Sequence, residues 1–181
     1  KRILKPLELS GCEILSNEDK LPVSIRGSKI PMPIKYESPI SSAQIKSCVL
    51  LNGLTSIGNT IFTEPIKSRD HTELMLNYMG AKIKSQTLKN GSHNVKLIGL
   101  PNLKGKNFKI PNDPSSAAFP AAAALLIPNS EIIIKNVCIN DLRIGFYKSI
   151  IEMGGFVRFI NKKNISGENV ADIRIKYSKL K

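Results

Sequence analysis

Two stretches of this 181-residue sequence place small and hydroxyl-bearing residues at the head of an apolar run: Ser41-Ser42-Ala43-Gln44 and Ser115-Ser116-Ala117-Ala118. If each opens a helix, its first N–H groups lack intrahelical partners and carry partial positive charge, which makes an anion site. Ser42 and Ala43 leave room for a ligand, and Gln44 offers a donor and an acceptor together. Arg69 precedes another helix opening, Asp70-His71-Thr72-Glu73. Its planar guanidinium can grip a carboxylate or phosphate with two parallel hydrogen bonds. The chemistry on offer is recognition of a small anionic molecule. Each feature also has an architectural reading. Ser-Ser before an apolar helix is an N-cap, and Ser115 and Ser116 look like the same device. Arg69, Lys46 and Lys67 read as solvated charges, and Met75, Met79 and Met153 as core filling.

Other chemistries find less support. No Gly-rich phosphate loop or serine-nucleophile elbow occurs in the sequence. Cys12, Cys48 and Cys138 are far apart, odd in number and set in apolar surroundings, so buried free thiols are expected rather than a disulfide or zinc framework. His71 and His93 do not form a metal-ligand pair. The net charge of +13 suggests an anionic partner. Against nucleic acid, the basic residues are scattered, aromatics are 6% with no Trp, and Lys, Ile and Asn (21, 25 and 15 residues) share AT-rich codons. The longest apolar run, 117–127, is interrupted by Pro120 and far short of the ~20 residues that span a bilayer. A basic nucleic-acid-binding module stands as the alternative from another class.

The elements that must position these residues come from an internal repeat. Three segments share a helix that closes at glycine and runs into a strand, around Gly11, Gly80 and Gly154. The two serine-headed helices run from 41 through 54 and from 115 through 126, and each is followed by a β-branched strand, at 59–62 and 132–137. Two-strand stretches are expected over 12–36, 81–110 and 156–175. The unit is a leading strand, helix, strand, helix, strand and strand, which predicts a mixed α/β (α+β) architecture. Asp70 with Glu73, and Ser41 with Gln44, fit capping boxes. Asp113 fits an N-cap before Pro114 at the first helical position. Ile45, Val49 and Leu50 form one buried helical face.

At these residues the sequence resembles a known family. Leu21-Pro22-Val23-Ser24-Ile25-Arg26-Gly27, Ser41-Ser42-Ala43-Gln44-Ile45-Lys46-Ser47, Glu64-Pro65-Ile66-Lys67-Ser68-Arg69-Asp70-His71-Thr72-Glu73 and Asp113-Pro114-Ser115-Ser116-Ala117-Ala118-Phe119-Pro120 look like 5-enolpyruvylshikimate-3-phosphate synthase, in order along the whole chain. The resemblance implies an enolpyruvyl-transferase-like fold of repeated βαβαββ units. Residues 1–110 would belong to a first domain and 111–181 to a second, with a crossover near 110–114 and a substrate cleft between the domains. It implies transfer of the enolpyruvyl group of phosphoenolpyruvate to the 5-hydroxyl of 3-phosphoshikimate, by addition and then elimination of phosphate. That step belongs to the shikimate pathway, toward chorismate and the aromatic amino acids. A cytoplasmic enzyme, monomeric at full length, is implied, with no metal or organic cofactor and no membrane or nucleic-acid partner. A same-fold transferase acting on UDP-N-acetylglucosamine is the nearer alternative.

Carried over residue by residue, Ser42, Ala43, Gln44 and Arg69 match 3-phosphoshikimate contacts, and Gln44 also faces phosphoenolpyruvate. The family's Lys-Ser…Arg substrate segment and its phosphoenolpyruvate-binding Arg would precede Lys1, and its catalytic Asp and late Lys and Arg would follow Lys181. The chain therefore reads as a central fragment that holds part of a substrate site and no catalytic residue. On its own it is expected to be inactive and prone to self-association.

Overall fold

The computed structural model describes residues 2–181, and its elements follow the repeat. In chain order they are α1 (Leu4–Leu9), β1 (Glu13–Asn17), β2 (Lys20–Arg26), β3 (Lys35–Glu37), α2 (Ala43–Gly53), β4 (Asn59–Glu64), α3 (His71–Tyr78), β5 (Ile83–Thr87), β6 (His93–Ile98), α4 (Pro114–Leu126), β7 (Glu131–Cys138), α5 (Gly145–Glu152), β8 (Phe156–Ile165) and β9 (Glu168–Lys176). The chain divides into two compact units, the first ending at Gly105 and the second beginning at Lys106. Among the described residues no helix is long and apolar enough to cross a membrane.

In the first unit β3 and β4 pair in parallel, joined through α2, and β6 then pairs antiparallel with both β4 and β5. In the second, β9 lies between β7 and β8, all antiparallel, and a single parallel bridge from Asn112 to Val137 stands where the first unit has β3. Each unit thus repeats strand, helix, strand, helix and hairpin. The earlier α1–β1–β2 segment repeats only the last helix and hairpin. The helices α1, α3 and α5 all run out at a left-handed glycine, Gly11 (φ 96°), Gly80 (φ 100°) and Gly154 (φ 82°). A side chain there would meet its own following carbonyl, so glycine lets the chain reverse into the next hairpin.

Burial follows the two periodicities. Along β4, Thr60, Phe62 and Glu64 face inward, and across the ladder stand Leu97, Val95 and His93 of β6. Ile45, Val49 and Leu50 of α2 are buried as the helical spacing predicts. Ile45 and Val49 join Ile34, Tyr36 and Phe62, whereas Leu50 joins Leu76, Ala81, Ile83, Val95 and Leu97. The second unit closes around Ala121, Leu125, Val137, Tyr147, Ile173 and Ile175. Tyr147 is fully buried and donates its hydroxyl to the Pro114 carbonyl at 3.0 Å, which anchors the start of α4. Burial, with Asp113 nearby, pushes that phenol up to about 12. The methionines differ from expectation: Met75 and Met153 are exposed and Met79 is half-buried. Met79 and Met153 are the C-cap residues of α3 and α5, where the helices end at the edge of the core. Of the thiols, Cys138 is buried and Cys12 and Cys48 are half-buried, all free.

In the second unit the register is pinned at one carboxylate. Both outer strands shift register opposite the middle of β9, at Ile134/Val137 and at Ile160/Lys163, with Asn136 and Asn161 in the left-handed region. Asp172, itself buried, accepts from the Asn136 amide (2.9 Å), Asn161 Nδ2 (2.9 Å) and Lys135 Nζ (3.0 Å). These bonds, Asn161's first, hold its carboxyl well below the usual carboxylate range. The unfolded chain therefore takes up the proton first as pH falls. Asp172 contributes its full stabilisation above about pH 4 and loses it progressively below. Asp172→Asn keeps the shape but replaces an acceptor with a donor facing donors. Its melting temperature is expected to fall clearly below that of the parent at about pH 7, with the gap narrowing by about pH 3; thermal melts followed by circular dichroism check this.

Candidate functional site

The first unit brings two helix openings together. At the head of α2, Ser42 is the N-cap: its Oγ accepts from the Ile45 amide at 3.5 Å and donates to Gln44 Oε1 at 3.0 Å. Intrahelical bonding starts with the Lys46 amide on the Ser42 carbonyl, so the Ala43 and Gln44 amides lie in the open first turn. Arg69 comes from the 65–70 segment between β4 and α3. Ala43, Gln44, Ser47, Arg69, His71 and Thr72 line one open cleft of about 360 Å³. Gln44 and Arg69 are exposed there. Ser47 and Thr72 join the two helices by a 2.6 Å hydroxyl–hydroxyl bond.

Three of the four residues picked from the sequence, Ala43, Gln44 and Arg69, therefore line one cleft. Ser42 does not: it is 5% exposed and spends its hydroxyl on its own helix. The cap expected from Ser41 thus falls to Ser42, and Ser41 Oγ instead accepts from the Ile66 amide at 2.9 Å. The capping box expected of Asp70 and Glu73 does not form either. Asp70 makes no side-chain cap and pairs with Lys67 at 2.8 Å, and Glu73 turns inward.

The reason is Lys46, which is not solvated as expected but wholly buried. It falls on the buried stripe of α2 with Val49, Leu50 and Gly53. Its ammonium meets Glu73 Oε1 at 2.8 Å, Glu64 Oε1 at 3.1 Å and the Ser68 carbonyl at 3.0 Å. Glu64 Oε1 also accepts from the Ser68 amide at 2.9 Å. Burial alone would raise the Glu64 carboxyl, but its bonds to Ser68 and Lys46 outweigh that and lower it. Burial prevails at Glu73 and raises its carboxyl. His93, opposite Glu64 in the ladder, is lowered by burial and then by Lys46 and Lys67, which favours a neutral imidazole. The two carboxyls that face the ammonium are thus shifted in opposite directions.

The head of α4 is built differently. Asp113 caps it, accepting from the Ser116 amide (2.9 Å) and Ser116 Oγ (3.1 Å), and Arg143 pairs with Asp113 and reaches Ser115 Oγ at 3.2 Å. The protein's own carboxylate occupies that helix end, whereas a neutral serine caps α2.

The whole sequence, residues 1–181, matches the family profile described as EPSP synthase (3-phosphoshikimate 1-carboxyvinyltransferase). The chain belongs to the EPSP synthase family. It is 48% identical over 181 residues to the 3-phosphoshikimate 1-carboxyvinyltransferase of Bartonella quintana and 47% identical to that of Paracoccus denitrificans, each covering 99% of this chain and 41% of the relative. A solved EPSP synthase from Acinetobacter baumannii superposes with a TM-score of 0.87 at 39% identity, over 99% of this chain and 40% of that one. An enolpyruvyl transferase of Streptomyces tendae shares the fold at a TM-score of 0.67 and 14% identity, over 98% of this chain and 42% of that one. The chain thus spans about 40% of the length of the EPSP synthase relatives it matches. The enolpyruvyl-transferase fold and its mixed α/β units are as expected from the repeat and the motifs.

Sequence reading missed Lys46, Ser47, His71 and Thr72. Ser47 lies one turn after Gln44 on the same helix face, a usable signal. His71 and Thr72 were absorbed into a capping motif. Removing the ammonium strands two buried carboxylates. Lys46→Met is expected to destabilise the first unit by about 3–5 kcal/mol. Glu73→Gln keeps an acceptor beside the ammonium and leaves Glu64 as its counter-charge, so it should cost less, about 1–2 kcal/mol. Urea unfolding at neutral pH distinguishes the two.

Proposed function

We propose that the protein to which this chain belongs transfers the enolpyruvyl group of phosphoenolpyruvate to the 5-hydroxyl of 3-phosphoshikimate, and that the Gln44–Arg69 cleft seats 3-phosphoshikimate. The hydroxyl oxygen gives up its proton to a base and adds to C2 of phosphoenolpyruvate, an enol phosphate, while a proton adds to C3, giving a tetrahedral adduct that carries both the new ether and the phosphate. Loss of a C3 proton and of phosphate then restores the enol. Residues 1–110 and 111–181 are read as parts of two domains joined near 110–114. The same family likeness carries with it a full-length form that is monomeric and cytoplasmic.

The observation that carries this reading is convergence: Ala43 and Gln44, in the first turn of α2, and Arg69 line one open cleft. Amides at a helix start and a guanidinium together suit a dianionic phosphate. A carboxamide beside them can give and accept hydrogen bonds with the hydroxyl groups of a sugar-like acid. Ala43 presents only a methyl group, so a ligand can come close to the backbone there. Ser42 contributes by shaping the first turn, and its hydroxyl becomes available to ligand only if Gln44 releases it. Gln44 is also the residue that the family likeness assigns to phosphoenolpyruvate.

Isothermal titration of the chain with 3-phosphoshikimate is the direct test. Saturable binding is expected, with little or no heat from UDP-N-acetylglucosamine. Arg69→Ala removes a charged hydrogen-bonding partner and should weaken 3-phosphoshikimate about 10- to 100-fold. Equal binding by the parent and the variant would refute the assignment of Arg69.

A further inference from the structure

We propose that Lys46 is a positioning residue: its buried ammonium holds the Ser68 carbonyl and thereby fixes the point of the chain from which Arg69 reaches into the cleft beside Gln44. Arg69 is exposed, and no carboxylate among the described residues pairs with it. Its place is therefore set by its backbone. That backbone is clamped immediately upstream on both faces of one residue: the Ser68 amide donates to Glu64 Oε1 at 2.9 Å, and the Ser68 carbonyl accepts from Lys46 Nζ at 3.0 Å.

Lys46 and Gln44 lie in the first turn of the same helix, so the ammonium measures the Arg69 segment directly against the helix end that carries the other half of the cleft. Other contacts fix other things. Ile45, Val49 and Leu50 seat α2 in the apolar core, and Ser47 with Thr72 joins α2 to α3. Besides Lys46 and Glu64, the 65–70 segment is held by the Ser41–Ile66 bond at its far end from Arg69 and by the local Lys67–Asp70 pair. A buried ion cluster is not needed for stability as such, because well-packed apolar side chains often serve as well. What apolar side chains cannot do is hold a peptide carbonyl in one place.

The test separates these two roles in the whole 181-residue chain. Lys46→Met combined with Glu64→Leu and Glu73→Met removes every charge of the cluster while keeping its bulk, and is expected to melt at or above the parent temperature. Two readouts follow. Amide hydrogen exchange at Ser68, without ligand, should speed up about tenfold or more while α2 core amides stay protected. The dissociation constant for 3-phosphoshikimate should rise about tenfold or more, since a misplaced binding group loses most of its contribution. Glu64→Gln, which still accepts from Ser68 and Lys46, should retain slow exchange and near-parent binding. Lys46→Met with Glu64→Gln and Glu73→Gln keeps an acceptor for the Ser68 amide, so with the same two readouts it separates the loss of Lys46 from the loss of Glu64, and it stands in if the apolar triple variant does not fold. A folded Lys46→Met, Glu64→Gln, Glu73→Gln variant that keeps slow exchange at Ser68 and binds as the parent does overturns the proposal. The binding arm rests on the substrate reading above. If the parent itself fails to bind 3-phosphoshikimate, that reading falls, and the exchange arm still decides the role of Lys46.

Discussion

A lysine ammonium with no exposure to water is the constraint around which the first unit is arranged. Taking a single charge out of water costs several kcal/mol even after relaxation, so Lys46 can be buried only where its three protons meet oxygen acceptors. Three elements deliver them. The strand β4 ends on an inward-facing Glu64, α3 turns Glu73 toward the core, and the connecting segment offers the Ser68 carbonyl. Each acceptor comes from a different point between 64 and 73, so satisfying the ammonium fixes how β4, its exit loop and α3 lie against α2. The two carboxylates are not equivalent, because Glu64 has the Ser68 amide as a second donor. That difference lowers one carboxyl and leaves burial to raise the other.

The repeated unit uses the same order of elements twice but ends its long helices differently. In the second unit, Asp113 and Arg143 fill the head of α4 with an internal ion pair, and Tyr147 ties down the Pro114 carbonyl from below. The positive end of that helix is neutralised by the protein itself. In the first unit a serine, which carries no charge, caps α2, and the partial charge of its first turn faces an open cleft. The chassis is shared, while the choice between an acidic and a neutral cap decides which helix end can receive an outside anion. Asp172 shows the same division of labour. It stabilises two asparagine-marked register shifts in the second sheet and has no part in the cleft.

Much of this architecture was readable from spacing. Glycines 11, 80 and 154 close helices by a backbone preference that belongs to the residue itself, and the hairpins after them follow from β-branched runs. Asp113 before Pro114 marks a helix start for the same local reason. The methionines and the capping boxes were not readable in this way. Asp70 and Glu73 have the right spacing for a box, but the local hydrogen bond competes with an ammonium supplied from 27 positions earlier in the chain, and the tertiary partner wins. Ser42 illustrates a finer limit. Either of two adjacent serines can cap a helix, and the choice depends on Ile66, whose amide takes Ser41. Lys46 was the largest gap, although two periodicities bear on it. It falls on the stripe with Val49, Leu50 and Gly53, and Glu64 has the inward parity of Thr60 and Phe62. Reading helix and strand together points to an internal ion pair; reading either alone leaves a surface lysine and a surface glutamate.

The way Arg69 is held has an electrostatic consequence. A guanidinium fixed by an adjacent carboxylate would be rigid but largely neutralised, and a ligand phosphate would have to compete with that carboxylate for it. Here the nearest acidic neighbour in sequence, Asp70, pairs with Lys67. The rigid support acts instead on the half-buried Ser68 peptide, one residue away. Backbone clamping separates position from charge: the buried cluster absorbs the cost of order, and the exposed guanidinium keeps its full charge for whatever enters the cleft. The same separation applies at the opposite wall, where Ser42 orders the first turn of α2 through the Ile45 amide and the amides of Ala43 and Gln44 precede the first intrahelical bond. Both walls thus present donors whose geometry is fixed from behind by groups the ligand need not displace, which is the arrangement that limits the entropy lost on binding.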